Sequence, residues 1–263
     1  MNFFNTVILG LIEGITEFLP ISSTGHMILT SHFLGLHDEK TATFEIFIQL
    51  GAILAVVAAF PKRFIQLLDF KSSLAFSGKN GIFRLIATTL PALMAGALLH
   101  HWIKSHLFRP ETVVAGLALG GIAILVLEKK LKNFTIHSLD NLTIKSAFLI
   151  GCFQCLALWP GVSRSASTIL GAMILGHDRK TATEYSFFAA VPVMCAAVFL
   201  DLYKSLPLLE SSDIPLFATG FIIAFLSAWA AIKFLVKLVS THNLIPFGWY
   251  RIALALLVVL ILI

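Results

Sequence analysis

Apolar residues run along this chain in stretches close to 20 residues long, the length at which an α-helix crosses the ~30 Å hydrocarbon core of a bilayer. Six such stretches are uninterrupted: Phe44–Phe60, Leu85–Ile103, Thr112–Leu127, Tyr185–Tyr203, Ile214–Val236 and Trp249–Ile263. Each predicts a transmembrane helix. Two further apolar regions, Phe3–Leu36 and Ile144–Gly176, are broken near their middles by Pro, Ser and charged residues. Broken backbone at membrane depth is tolerated only against protein or a water-filled cavity, so each region predicts a re-entrant hairpin of two short helices.

The composition agrees with a lipid environment. Charged residues make up 13% of the chain, about half the usual share of a soluble domain, and mean hydropathy is +0.91. The net charge of +5 raises nucleic acid as a partner, but the basic residues lie in short loops, where they set topology, so nucleic acid is excluded. Lys62, Arg63, Lys71, Lys79 and Arg84 place the loop after the first span in the cytoplasm. Lys129, Lys130, Lys132 and Lys145 do the same before the second hairpin. The segment around Lys204, Glu210 and Asp213 reads as external, and Lys237 and Arg251 return the chain to the cytoplasmic side. Met1–Gly10 carries no Lys or Arg ahead of its apolar run, so it lacks the charged start of a cleaved signal and is expected in the mature protein. Cys152, Cys155 and Cys195 fall in apolar stretches and read as small core residues. His100, His101 and His106 read as interface residues at an external span end.

A duplication organises the chain. His37-Asp-Glu-Lys-Thr-Ala-Thr43 recurs as His177-Asp-Arg-Lys-Thr-Ala-Thr183, 140 residues later and identical at six of seven positions. At the same offset Pro20 meets Pro160, Ser23 meets Ser163 and Phe47 meets Phe187. Asp38 and Asp178 are placed to cap the helices that follow. Three full spans separate the copies, so they face opposite ways, an inverted-topology repeat whose two hairpins enter from opposite faces and meet near the midplane. The chain is expected to be one membrane domain, 1–263, with repeat one at about 1–128 and repeat two at about 140–263.

Candidate chemistry collects at the two breaks. In the first, Glu13 and Glu17 share a helix face, and two carboxylates inside an apolar segment mark a functional site unless they only pair structurally with Arg164. Pro20 ends that helix, Ser22, Ser23, Thr24 and Gly25 open the next, and His26 follows one turn on, able to serve as acid, base or phosphate anchor. In the second, Pro160 and Gly161 break the chain before Ser163, Arg164, Ser165 and Thr168. Hydroxyls, backbone N–H groups and a planar cation at a helix start suit a phosphate or carboxylate. Singly, each hydroxyl is more often a cap or a packing residue, and it is their convergence that points to a site.

These two motifs, together with Phe44-Glu-Ile-Phe-Ile-Gln-Leu-Gly51, resemble the undecaprenyl-diphosphate phosphatase family of bacterial inner membranes, over nearly the whole chain. The family often carries Thr and Gly where this chain has Val162 and Ala166. The resemblance implies a multi-pass inner-membrane enzyme that hydrolyses the lipid carrier diphosphate to its monophosphate on the outer side, recycling it for peptidoglycan synthesis, with associated bacitracin resistance. Its partners are then a polyprenyl diphosphate and membrane lipid, and a homodimer is compatible with it.

On this reading Ser23 attacks the terminal phosphorus, Glu17 is its base, Glu13 supports Glu17, His26 orients or protonates phosphate, and Arg164 holds the charged oxygens. Ser22, Thr24, Gly25, Gly161, Ser163, Ser165 and Thr168 complete the anion site. Direct attack by water remains the other course. No cofactor is required by the sequence, while Glu13 and Glu17 have the oxygen chemistry for Mg²⁺ or Ca²⁺ shared with the diphosphate. A transporter or flippase of an anionic lipid is the rival reading, because inverted repeats with broken helices are common among carriers. The phosphohistidine phosphatases are excluded, since their motif would need His where Leu170 stands.

Overall fold

A computed structural model describes residues 1–107 and 109–263, with the side chains of residues 100, 104 and 206 outside the description. Among the described residues the regular structure is eleven α-helices, short 3₁₀ turns and one isolated bridge between Ile136 and His177. Six helices are long and apolar enough to cross a membrane: α3 (Glu39–Ala59), α5 (Gly78–His106), α6 (Pro110–Lys130), α9 (Arg179–Ser205), α10 (Ile214–Val239) and α11 (Ile245–Leu262). The protein is an all-α polytopic membrane protein. All but α10 start before their apolar stretches, because polar and proline residues open the first turn. Asp38 accepts the Thr41 N–H and Asp178 the Thr181 N–H, both at 2.7 Å, so the repeated heptapeptide caps α3 and α9 as expected. Asp38 stands outside the spans, and that accepted N–H holds its carboxyl below the usual carboxylate range.

The broken regions form four short helices: α1 (Phe3–Glu17), α2 (Ser23–Phe33), α7 (Ile144–Gln154) and α8 (Arg164–Ile174). At 1.5 Å per residue none exceeds about 23 Å, too short to cross the hydrocarbon alone. A further short helix, α4 (Pro61–Gln66), follows α3.

Packing follows one pattern in both halves. Helix α1 packs on α10 and α7 on α5; α10 packs on α3 and α5 on α9; α3 meets α9, and α6 meets α11. Glycines permit the first two contacts: a Cβ on Gly14 would lie 2.4 Å from the Ala224 carbonyl oxygen, and one on Gly151 2.5 Å from that of Thr88. At the basic end of the bundle, Glu128 is fully buried and joins three helices, accepting from Arg179 Nε at 2.9 Å and from the Leu244 N–H at 2.8 Å.

Two expectations are corrected. Arg251 does not mark a cytoplasmic loop: it lies in α11, is fully buried, and donates four hydrogen bonds to backbone carbonyls. Nη1 reaches Pro20 at 3.2 Å, Nη2 reaches Gly161 at 2.8 Å and Gly116 at 3.0 Å, and Nε reaches Leu117 at 3.3 Å. Gly120 leaves room for the guanidinium, since a Cβ there would sit 2.1 Å from Nη2. The cysteines are also less buried than expected: Cys152 is exposed on α7 and Cys155 is half-buried in the turn after it, while Cys195 of α9 is half-buried against the core, all three as free thiols. His101 and His106 are exposed near the end of α5, while the side chain of His100 lies outside the described residues.

Replacing Arg251 by Met strips a hydrogen-bond partner from two loop carbonyls at once, those of Pro20 and Gly161. At roughly 1–3 kcal/mol for each buried acceptor left unmet, a loss of about 2–6 kcal/mol is expected, read as a lowered midpoint of unfolding in mixed micelles.

Candidate functional site

The site is built where the two breaks meet. Both short helices that follow a break are capped by a serine held in the left-handed region, Ser22 at φ 70° before α2 and Ser163 at φ 74° before α8. Each Oγ accepts the N–H three residues on, from Gly25 at 3.4 Å and from Ala166 at 3.3 Å. No other non-glycine residue among those described has positive φ. A conformation that costs about 1–3 kcal/mol and occurs at both breaks is a feature of the site rather than of one loop. The sequence pairing of Ser23 with Ser163 is therefore shifted by one: Ser22 and Ser163 hold the same place, and Ser23 stands opposite Arg164. After α2 and α8 the chain turns at Gly35 (φ 66°) and Gly176 (φ 92°), and Leu36 restores the offset of 140 before His37 and His177.

Three side chains converge at these helix starts. Ser23 Oγ donates to Glu17 Oε2 at 2.7 Å, and Arg164 Nη2 donates to Glu17 Oε1 at 3.0 Å. The ion pair is shielded, with side-chain exposures of 9% for Glu17 and 12% for Arg164. Arg164 Nη1 also donates to the Ser186 carbonyl at 3.2 Å, and the guanidinium carbon lies 5.3 Å from the centre of the Phe18 ring. Its Nε is buried without a protein partner. One turn before Glu17, Glu13 is 1% exposed, and its Oε1 also lacks a partner. The carboxylates of Glu17 and Glu45 and the Arg164 cation act on it electrostatically. Glu45, to which the sequence assigned no role, accepts from Ser31 Oγ at 2.5 Å.

His26 lies one turn into α2 and is held at both nitrogens. Nδ1 is 2.7 Å from the Ser22 carbonyl, so it carries a proton, and Nε2 is 2.7 Å from the Tyr250 hydroxyl. Tyr250 and Arg251 are neighbours on α11, and they are the two site residues that sequence reasoning missed. The available signal was an arginine beginning an otherwise apolar span, which was spent on orientation instead.

The remaining residues divide by what their hydroxyls do. Ser165 is fully buried and donates to the Leu19 carbonyl at 2.8 Å, pinning the second break to the first. Thr168, also fully buried, donates to the Arg164 carbonyl at 3.0 Å and shares a 2.6 Å bond with Ser186. These two hold the start of α8 in place, their hydroxyls hydrogen-bonded within the protein. Ser163 Oγ lies 3.0 Å from Ser165 Oγ, and Thr24 is half-buried. Gly25 lets α2 approach Leu117 of α6, and Gly161, at φ 93°, turns its carbonyl to Arg251. The chemical content is a hydroxyl already bonded to a carboxylate, a guanidinium with a spare N–H, and two helix N-termini, a set suited to phosphoryl transfer.

From residue 6 to residue 257 the chain matches the family described as bacitracin resistance protein BacA. It belongs to this family. A protein of Maridesulfovibrio salexigens named undecaprenyl-diphosphatase is 54% identical to this chain over 257 residues, covering 98% of it and 97% of the relative. A Nitratidesulfovibrio vulgaris protein of the same name is 52% identical over 257 residues, with the same coverage. Undecaprenyl-diphosphatase 1 of Bacillus thuringiensis is 49% identical over 250 residues, 95% of this chain and 94% of its own. In this BacA-family chain Glu13, Glu17, Ser23, His26 and Arg164 all stand in the region matched.

The His26 geometry places a proton on Nδ1, and with the ring neutral Nε2 accepts from Tyr250. Labelling histidine with ¹⁵N and assigning His26 by its loss in His26→Gln should give a protonated Nδ1 and an accepting Nε2. Tyr250→Phe is expected to move the Nε2 resonance and leave Nδ1 in place.

Proposed function

We propose that this chain is an integral-membrane phosphatase that converts undecaprenyl diphosphate to undecaprenyl phosphate and inorganic phosphate, returning the carrier to cell-wall synthesis. The observation that carries the reading is the bonded series Ser23–Glu17–Arg164, with bonds of 2.7 and 3.0 Å, which joins a nucleophile, a base and a cation across the two breaks. Binding alone would not need a hydroxyl already hydrogen-bonded to a carboxylate. The names of the relatives, at about half identity over nearly full length, support the same substrate.

The reaction follows from the geometry. The diphosphate head enters between the breaks while the polyprenyl tail stays in lipid. Ser23 Oγ attacks the terminal phosphorus, its proton passes to Glu17 Oε2, and the bond to the bridging oxygen breaks. Glu17 hands that proton to the departing polyprenyl phosphate and, a carboxylate again, takes a proton from the water that attacks the phosphoserine, which releases phosphate and restores the Ser23 hydroxyl. Arg164 offers its free Nε–H and the starts of α2 and α8 offer backbone N–H groups to the charged oxygens. Once Tyr250 yields that position, His26 Nε2 accepts a hydrogen bond from a protonated phosphate oxygen and orients the head group. Ser22 and Ser163 hold the two turns in shape, and Thr24 contacts the head group.

Glu13 has the chemistry for a divalent cation. Among the described residues no three His, Cys, Asp or Glu side chains converge, and both Glu17 oxygens are engaged by Ser23 and Arg164. The unpartnered Glu13 Oε1 therefore fits an ion whose other ligands come from substrate and water, as Mg²⁺ prefers. Such an ion supplies charge neutralisation to the diphosphate.

The two halves form an inverted repeat whose broken segments are re-entrant hairpins. This reading is supported by the exchange-symmetric packing, the matched serine caps and the short helices. The basic loops favour a cytoplasmic end at Lys129–Lys132, and the site opens toward the outer side of the bacterial inner membrane.

Purified protein in detergent should release inorganic phosphate from a long-chain polyprenyl diphosphate. Ser23→Ala is expected to lose at least about 10³-fold in kcat and Arg164→Ala about 10²–10³-fold, the scale of losing a nucleophile or a charge-stabilising donor. Full turnover in Ser23→Ala would assign the attack to water. Turnover that survives chelation would assign Glu13 to proton handling alone.

A further inference from the structure

We infer that the basic end of the bundle holds a binding site for one anionic phospholipid, in the groove where α3, α9 and α10 meet. A cavity of about 240 Å³ lies there, walled by Phe60, Ile232 and Val236 and ringed by Lys180, Lys233 and Lys237. The volume is below the ~300–1,000 Å³ of a site that encloses a drug-sized molecule, and it suits a head group whose chains remain outside. Lys233 and Lys237 are four residues apart and share a face of α10, and Lys180 opposes them from the first turn of α9.

The cations there make no ion pair with the chain among the described residues. No carboxylate is among the described residues that line the groove. Glu184, one turn along α9, acts on Lys180 electrostatically but does not line the cavity. The Lys233 ammonium packs 3.4 Å from the centre of the Trp229 ring, an aromatic face in place of a carboxylate. At the opposite end of the same two helices the arrangement differs: Lys40, from the first turn of α3, pairs with Asp213, just before α10, at 3.0 Å. One end carries its counter-ion within the protein, and the other presents three cations beside an apolar wall.

An amphiphile fits that surface. Lys233 lies six residues before the end of α10, about 9 Å along its axis, and its stem runs back one turn so that the ammonium rests over Trp229 beside the groove. A lipid phosphate meets the three ammonium groups, and the chain lies along Phe60, Ile232 and Val236. Basic pockets between transmembrane helices recognise anionic head groups in this way. Inorganic phosphate would satisfy the lysines and leave the wall bare.

The test is native mass spectrometry of the full chain in detergent, titrated separately with phosphatidylglycerol, phosphatidylethanolamine and inorganic phosphate. One phosphatidylglycerol per chain should be retained. Lys180→Gln/Lys233→Gln/Lys237→Gln should weaken that binding roughly a hundredfold, about fivefold for each lysine near an anionic lipid. Lys129→Gln/Lys130→Gln/Lys132→Gln removes the same charge outside the groove and should leave it intact. Equal retention by the groove variant, equal loss in the control, equal retention of phosphatidylethanolamine, or saturation by inorganic phosphate alone would each overturn the assignment. Phosphate release from polyprenyl diphosphate should be unchanged in both variants, since none of these lysines touches Glu17, Ser23 or Arg164, so the binding result stands apart from the proposed activity.

Discussion

Broken helices inside a bilayer leave backbone groups that no lipid can satisfy, and the arrangement of this protein depends on how those groups are met. The guanidinium of Arg251 meets one carbonyl from each break, those of Pro20 and Gly161, together with two from α6. A single permanent cation from the last helix thereby fixes both turns in one place. Ser165 adds a second tie, from the start of α8 to the Leu19 carbonyl. With the turns held, Glu17 and Arg164 come within 3.0 Å although 147 residues separate them in the chain. A buried ion pair of this kind is weak evidence for stability, but here it leaves Ser23 hydrogen-bonded to the same carboxylate, the arrangement from which the proposed phosphoryl transfer is argued.

The architecture was largely legible in the sequence because lipid imposes a coarse rule. Six uninterrupted apolar stretches gave six long helices, and the two interrupted ones gave four short helices. Helix ends were read less well, since Asp38, Pro110, Asp178 and Pro246 extend each helix into polar sequence that hydropathy does not count. Glu13, Glu17 and Arg164 stood out because charge inside an apolar segment is expensive, and Ser23 because it is a hydroxyl at the helix start after the first break. The Ser22–Ser163 correspondence did not, because a constant offset hides a one-residue insertion that a left-handed cap makes visible.

What the sequence hid is long-range and backbone-directed. Ser165 and Thr168 read as ligand hydroxyls, whereas their bonds run to carbonyls and to Ser186, partners that no motif specifies. Arg251 read as a loop charge because the positive-inside rule counts basic residues near span ends and cannot distinguish a lysine in solvent from an arginine turned inward. Tyr250 gave no signal, since aromatic residues at span ends are ordinarily interface anchors, and only the fold sets its hydroxyl 2.7 Å from His26.

The central claim is that the two breaks act as one site through the Glu17–Arg164 contact. Its most direct test is a double-mutant cycle on phosphate release at saturating polyprenyl diphosphate, comparing Glu17→Gln, Arg164→Lys and the double variant. Residues that work as a unit are strongly non-additive, so the double variant is expected to be scarcely slower than the worse single one. Losses that multiply would contradict the account and separate the two breaks into independent contributors.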